Sequence, residues 1–581
     1  MNDMYYPRPD FKRKNWISLN GEWQFDFEED RNVECDEWVR KSEFSKKIIV
    51  PFSYQTEKSG INDVGVHEKV WYKREFSIPE EMKGKRLFLK FGAVDYITRV
   101  WLNGRFIGKH EGGYTSFEFE ITQFLKQDNI LVVEATDSVD VTQPRGKQYW
   151  KEKTDRCWYI PTTGIWQNVW IEAIDKVPIN EIKIEPDIDR NNIEVTVTVE
   201  EYCPGDSLEF KVFYNEKNVK YQKVSMDNKI TKLVISFVPE DFIDEIHYWT
   251  PENPNLYDVK VKLIREEEVA DVVETYFGMR KVEVKDGRFL LNHSPCYLKM
   301  VLNQGYWKES GLTAPNDEAL KQDLLYIQQM GFNGVRMHQK IEDPRFYYWA
   351  DRLGIMVWAE MPSAYYFCDK EMINITRDMM DFIRRDFNHP SIIAWVILNE
   401  SWGVRKILAD KNQQNFGVAL YHLAKAMDPT RLVSSNDGWE NIKSDIVGIH
   451  DYAGNGDRFA ETYTGEKKQF PDDLFPGSRR LFAHGYGYEG DTNIYIMSEY
   501  GGIALFDDTE DDDCWGYDRP AKTKEEFLEK YKNLTKAIKN ITEFSGYCYT
   551  QLTDVYQEVN GLLDMNHNPK FNLEKIREIN S

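Results

Sequence analysis

IIAWVILNE (392–400) runs through seven apolar residues and stops abruptly at Asn399-Glu400. Seven other short apolar runs share that form: CYLKMVLN (296–303), FNGVRM (332–337), IMVWAE (355–360), RLVSS (431–435), DIVGIH (445–450), IYIMSE (494–499) and GYCYTQL (546–552). Helical patterns lie between most of them, among them NDEALKQDLLYIQQMG (316–331), DPRFYYWADRLG (343–354) and NQQNFGVALYHLAKAMD (412–428). The first opens on an N-cap signal, Asn316 before Asp317 and Glu318, and closes on Gly331. Eight strand–helix units in about 300 residues specify a TIM barrel over 280–581. The stretch 453–493 reads as a long insertion without a clear helix.

Upstream the pattern changes. KRLFLKFGAVDYITRVWLNGRFIG (85–108) holds alternating runs closed by Asn103-Gly104, the dipeptide of a two-residue hairpin turn. NILVVEATD (129–137) and GIWQNVWIEA (164–173) are further strands, and no long amphipathic helix is present, so 1–174 reads as a jelly-roll β-sandwich. In 175–279, Ile193, Val195, Val197 and Val199 alternate with polar residues, as do Val259, Val261 and Leu263. Such strands have one face on a core and one in water, and the length fits an immunoglobulin-like sandwich.

Asp plus Glu number 97 against 74 Lys plus Arg, a net charge of −23, which argues against nucleic acid or an anionic membrane as partner. No apolar run reaches ~18 residues, so no transmembrane helix is expected. MNDMYYPRPDFKRK (1–14) lacks the apolar core of a secretory signal, and the seven scattered cysteines lack a CxxC. Both point to a cytoplasmic protein with reduced thiols. Aromatic content is 14%, and aromatic faces suit both packing and stacking on sugar C–H surfaces.

Barrel enzymes keep their chemistry at the C-terminal ends of the strands. Those ends carry Glu400 after Asn399, Glu499 after Ser498, Glu360, Arg336 with His338 just beyond, His450 with Tyr452, and Tyr549 with Gln551. Glu400 and Glu499 are three strand–helix units apart, which places them across one mouth. A carboxylate pair is what glycoside hydrolysis requires, and a gap of ~5–5.5 Å would imply retention of configuration.

LNGEWQFDFE (19–28), VWYKREFSIP (70–79), WLNGRFIGKHEGGYTSFEFEIT (101–122), TTGIWQNVWIE (162–172), WTPENPNLY (249–257), GFNGVRMHQ (331–339), NHPSIIAWVILNES (388–401) and IMSEYGG (496–502) together resemble family 2 of the glycoside hydrolases, the group of β-galactosidases, β-glucuronidases and β-mannosidases. The resemblance implies that Glu400 is the acid/base, Glu499 the nucleophile, and Asn399 the partner of the sugar 2-hydroxyl. It also implies that Tyr452 lies near the nucleophile, that His338 and Glu360 line the pocket with His450 and Trp402, and that Tyr549 floors it where relatives carry Trp. Arg336 is expected to orient the carboxylates. The neighbouring Glu499 charge and partial desolvation are expected to raise the pKa of Glu400.

The departures bear on the sugar. The Asn-x-Lys pair that reads a uronate in the β-glucuronidases is displaced here, where GLLDMNHNPKF (561–571) has Asn566, Asn568 and only then Lys570. The acidic run DDTEDDD (507–513) would mildly repel an anionic sugar if it lay at the rim. Both favour a neutral sugar, as in a β-galactosidase, over a uronic acid; Lys340, Arg405 or Lys570 would be the cation in the second case. An endo-acting barrel hydrolase shares the same strand ends, but a sandwich wall, assigned to QTEKSGINDVGVHEK (55–69), would close the pocket. A non-catalytic sugar-binding protein would have lost at least one carboxylate, and both are present. No cofactor is expected. Asp155 and Glu360 lie near positions of family sodium and magnesium ligands without making a convincing set. A homo-oligomer is compatible with the family.

Overall fold

The computed structural model describes residues 6–29, 34–151, 153–238, 245–464, 474–475, 479–480, 493–505 and 514–581. The first sandwich packs a six-stranded sheet on a four-stranded one. In it Leu102 pairs with Arg105 across Asn103 (φ 54°) and Gly104 (φ 79°), the two positive φ values of a type I′ turn. The second sandwich has sheets of three and four strands. Ile193, Val195, Val197 and Val199 are buried as their alternation requires. Among the described residues of the first sandwich, the one α-helix, Cys35–Arg40, is six residues long.

Eight parallel strands form the barrel: β1 (Leu298–Asn303), β2 (Gly334–Met337), β3 (Met356–Glu360), β4 (Ile392–Val396), β5 (Leu432–Ser434), β6 (Ile446–Asp451), β7 (Ile494–Gly501) and β8 (Phe544–Thr550). They are hydrogen-bonded in the order β5-β4-β3-β2-β1-β8-β7-β6. The helix Asp317–Gln329 begins where Asn316 Oδ1 accepts from Ala319 N at 2.9 Å, and Gly331 follows at φ 79°. The helix Pro344–Leu353 starts on the Asp343 cap with Pro at its first position. In 453–493 a helix does form, Gly456–Tyr463, capped by Asn455; most of 465–492 lies outside the described residues.

Strand parity decides which side chains reach the interior. Met356, Trp358 and Met300 face inward, while Val301, Val335 and Val357 face the helices. The antiparallel turn Val282–Lys285 and Arg288–Leu291 carries Val282, Phe289 and Leu291 into the same interior cluster. The sandwich and barrel share a core as well. Ala93, Tyr114, Tyr159 and Trp166 of the first sandwich belong to one cluster with Trp307, Leu312 and the helix-facing barrel residues. No described helix is long and apolar enough to cross a membrane, and all seven cysteines are free thiols.

Candidate active site

Arg336, at the inner face of β2 and fully buried, organises the mouth. Its Nε donates to Glu360 Oε2 at 2.7 Å, its Nη2 to Asn399 Oδ1 at 2.8 Å, and its Nη1 to Glu499 Oε1 at 3.1 Å. Nη1 also lies 2.7 Å from Asp437 Oδ2. One planar fork thus fixes the ends of β2, β3, β4, β5 and β7. The Tyr452 hydroxyl donates to the other Glu499 oxygen, and the Tyr452 ring stacks on Tyr517 at 3.6 Å.

His450 joins the two glutamates. Its Nδ1 donates to Glu400 Oε1 at 2.8 Å and its Nε2 to Asp437 Oδ2 at 2.9 Å, with Glu499 Oε1 at 3.3 Å from Nε2. Carboxylate oxygens of Glu400 and Glu499 and a ring nitrogen of His450 lie within 4.8 Å of one another. These three could hold a divalent cation only if His450 gave up the proton that it now donates. Glu400 lies beyond the last residue of β4, at φ 49°, followed by Ser401 at φ 54°. Two consecutive left-handed non-glycine residues are costly, and such strain concentrates at functional sites. Trp402 Nε1 donates to Glu400 Oε2 at 3.3 Å.

The electrostatics differ from expectation at Glu400. Burial pushes its carboxyl up, but the hydrogen bond and charge of His450, with the charge of Lys147, outweigh burial and hold it down at about 2. The expected raised value omitted the histidine. Burial opposes the charge on His450 too, yet Glu499, Asp437 and Glu400 raise it to about 10. The proton available to this site therefore rests on the imidazole. Asp437, raised by burial and lowered by Arg336 and His450, falls to about 2. Burial lifts Glu360 to about 7 against the pull of Arg336. Burial, then the charges of Arg336 and Lys147, drive His338 well below its ordinary value, so it is neutral.

Of the residues singled out above, Glu400, Glu499, Asn399, Arg336, Glu360, His338, His450, Tyr452 and Trp402 converge on this mouth. Tyr549 does not. β8 puts Cys548 on the interior face and Tyr549 on the helix face, where it packs against Tyr531 at 4.8 Å and Tyr500 at 5.6 Å. Its hydroxyl donates to Asn560 O. Parity along CYT forbids it from flooring the pocket. Asp155 is exposed, and Glu360 is engaged by Arg336 and His338.

Within 55–69, Lys58 N bonds to Glu309 O and Tyr54 takes up Gly65 and His67, so this segment packs on its own sandwich and on the loop after β1. The loop 143–163 reaches the same barrel mouth, and Thr163 N donates to Gln55 Oε1. Arg145 N and Gly146 N both donate to Ser363 O, at 2.9 and 3.0 Å, beyond β3. Trp158 meets Trp402 at 5.2 Å and donates to the Tyr365 hydroxyl, and Trp150 lies on Tyr365 at 4.4 Å. Tyr159 donates to Glu558 beyond β8. Asp437 was also missed, although Asn436-Asp437 follows the fifth apolar run directly and its strand end was open to the same reading.

Comparison with known proteins divides the chain into the same three units. Glycosyl hydrolases family 2, sugar binding domain, matches residues 16–171; Glycosyl hydrolases family 2 matches 177–280; and its TIM barrel domain matches 282–580. The chain belongs to family 2 of the glycosyl hydrolases. Among its family 2 relatives are a β-galactosidase of Thermoanaerobacter pseudethanolicus, 30% identical over 344 residues (57% of this chain, 44% of that protein), and a putative β-glucuronidase of Formosa agariphila, 27% identical over 507 residues (82% and 59%). The chain spans about half the length of these sequence relatives. A solved β-glucuronidase from an uncultured Clostridium superposes with a TM-score of 0.78 over 99% of both chains at 20% identity, a likeness of fold.

Proposed function

We propose that this family 2 enzyme is a retaining exo-β-glycosidase that releases one terminal sugar by double displacement. The observation that carries this reading is the convergence of Glu400 and Glu499, one carboxylate oxygen of each within 4.8 Å of the other, a close approach of the kind a nucleophile and acid/base pair requires. Glu499, oriented by Arg336 and Tyr452, attacks the anomeric carbon. Glu400 delivers a proton to the leaving oxygen, and that proton reaches it from His450 along the 2.8 Å hydrogen bond. A bound sugar displaces water from the one partly open carboxyl of the pair, Glu400 at 19% exposure, and so adds to the burial that already raises it. Once Glu499 is esterified its charge is gone, and Glu400, now a carboxylate, draws a proton from water for the second displacement.

The wall of Trp150, Trp158 and Lys147 against the barrel loops supports release of a terminal unit over cleavage within a polymer. Among the cations considered for an acidic sugar, Lys340 is bound to Glu342, Gly305 O and Leu312 O, and Lys570 to Asp554. Arg405 is exposed, over Trp402 at 4.3 Å and Trp439 at 5.3 Å. Asn566 and Asn568 are exposed in a turn closed on Asp564, and the acidic run 507–513 lies outside the described residues. NMR of the first-formed sugar tests the mechanism: the β-anomer is expected from an aryl β-glycoside, and the α-anomer would refute it.

A further inference from the structure

Among the described residues, the buried lysines are Lys73, Lys147 and Lys340. Lys73 Nζ donates to Lys41 O and Ser42 O, and Lys340 is held by Glu342. Lys147 is 7% exposed and, among the described residues, has neither a carboxylate within 4.0 Å nor a hydrogen-bond acceptor. A buried charge without a partner costs several kcal/mol, which a protein retains where something else completes the pair.

Its backbone is held from both sides. Tyr159 N donates to Lys147 O at 2.8 Å, Tyr149 N to Tyr159 O at 2.9 Å, and the preceding Gly146 is pinned to Ser363 O. The Tyr365 hydroxyl donates to Gly146 O. The groups that feel its charge identify the space it faces: Cys157 and Tyr365 on the wall, Glu558 beyond β8, the acid/base Glu400, and His338. These belong to the loops at the mouth of the barrel. Glu400 and Glu558 act on Lys147 from beyond 4.0 Å, and Glu558 is itself occupied by Tyr159 and Asn560. Lys147 thus has no carboxylate in direct contact, while Cys157, Tyr365, Glu558 and Glu400 hold its ammonium above its ordinary value against burial, so it stands in the mouth as a fixed cation.

We propose that Lys147, carried by the N-terminal sandwich, pairs with the C6 carboxylate of a hexuronic acid in the sugar pocket, so that the substrate is a β-hexuronide. This rests on the exo-glycosidase reading and takes the acidic alternative over the neutral sugar. A carboxylate supplies both the charge and the acceptor that Lys147 lacks, whereas a hydroxymethyl group supplies no charge.

The test compares kcat/KM for p-nitrophenyl β-glucuronide with β-glucoside, and for β-galacturonide with β-galactoside, on the full chain and on Lys147→Met, which keeps the stem and removes the charge. In one pair the unsubstituted enzyme is expected to prefer the uronide by about 100-fold or more. K147M is expected to reduce that ratio by about 30-fold or more, mainly through KM for the uronide. A preference for the neutral member of both pairs, or an equal loss on both members in K147M, overturns the assignment of Lys147 and leaves the glycosidase reading standing. Silence on all four glycosides refutes both. Should K147M fail to fold, inhibition of the unsubstituted enzyme decides: free glucuronate or galacturonate is expected to inhibit at least about tenfold more tightly than glucose or galactose, and equal inhibition overturns the proposal.

Discussion

At the residue scale the site is a chain of shared protons and fixed charges. Arg336 and His450 together face Glu360, Asp437, Glu499 and Glu400, so Glu499 lies against both cations and Glu400 against the imidazole. Replacing Glu499 by Gln keeps the shape and removes the nucleophile; turnover is expected to fall on the order of 10,000-fold with Tm unchanged within a few degrees. Glu400→Gln should slow substrates with poor leaving groups most, and nitrophenyl glycosides should partly survive. Equal losses on both kinds would contradict the acid/base role. His450 makes a prediction with a definite sign. Its value is raised from 6.5 to about 10, so the stability that it contributes is complete below pH 6.5 and is lost as pH rises through about 10. Glu400 and Asp437, held down at about 2, contribute above their ordinary values and lose that contribution as pH falls towards 2. Tm of the unsubstituted protein should therefore decline between pH 6.5 and 10, and His450→Gln should flatten that decline. Parallel slopes in the two proteins would show that the imidazole does not carry the charge.

At the element scale, the barrel and both sandwiches were legible because their signals are local. Apolar runs broken by capped helices mark the eight strands, and alternation at Ile193–Val199 marks a half-buried sheet. Glu400 and Glu499 were legible as candidates because strand ends in such barrels bear the chemistry. Three things depend on geometry that no single run shows. Pairing of β7 with β8 shifts between Met497 and Tyr500, a bulge that leaves both of those residues facing the helices with Ser498 and Glu499 between them. Asp437 reaches Arg336 only when β4 and β5 lie side by side. The wall requires residues near 147 and 158 to meet a barrel that begins far downstream. Gly146 is the joint of that wall, at φ 61°, where an added Cβ would lie 2.3 Å from Gln339 O. Gly146→Ala should cost about 1–3 kcal/mol through backbone strain and push the wall off the barrel. The expected result is a higher KM with kcat less affected; an unchanged KM would detach the wall from substrate binding.

At the scale of the whole molecule, the first sandwich and the barrel are joined by shared apolar residues as well as by the hydrogen bonds of the wall. Trp166 and Tyr159 are fully buried between them, and Arg13 bridges Glu172 of one sandwich and Asp271 of the other. Each such aromatic side chain contributes roughly 1.5–3 kcal/mol by burial, enough to couple the units. Calorimetry should therefore show the sandwich and barrel unfolding in one transition, and Trp166→Ala should split or broaden it; separate transitions in the unsubstituted chain would mean that the domains are independent. The placement of the wall also has a consequence for synthesis. Domains generally fold in the order in which they leave the ribosome. The half of the pocket bearing Lys147 and Trp158 is made about 350 residues before Glu499, a delay of roughly 20–70 s at ~5–20 residues per second. The nascent chain thus carries the loop of Lys147 and Trp158 well before the residues that hold it, Ser363, Tyr365 and Glu558, have all been made, and the pocket is complete only when the last strands of the barrel close.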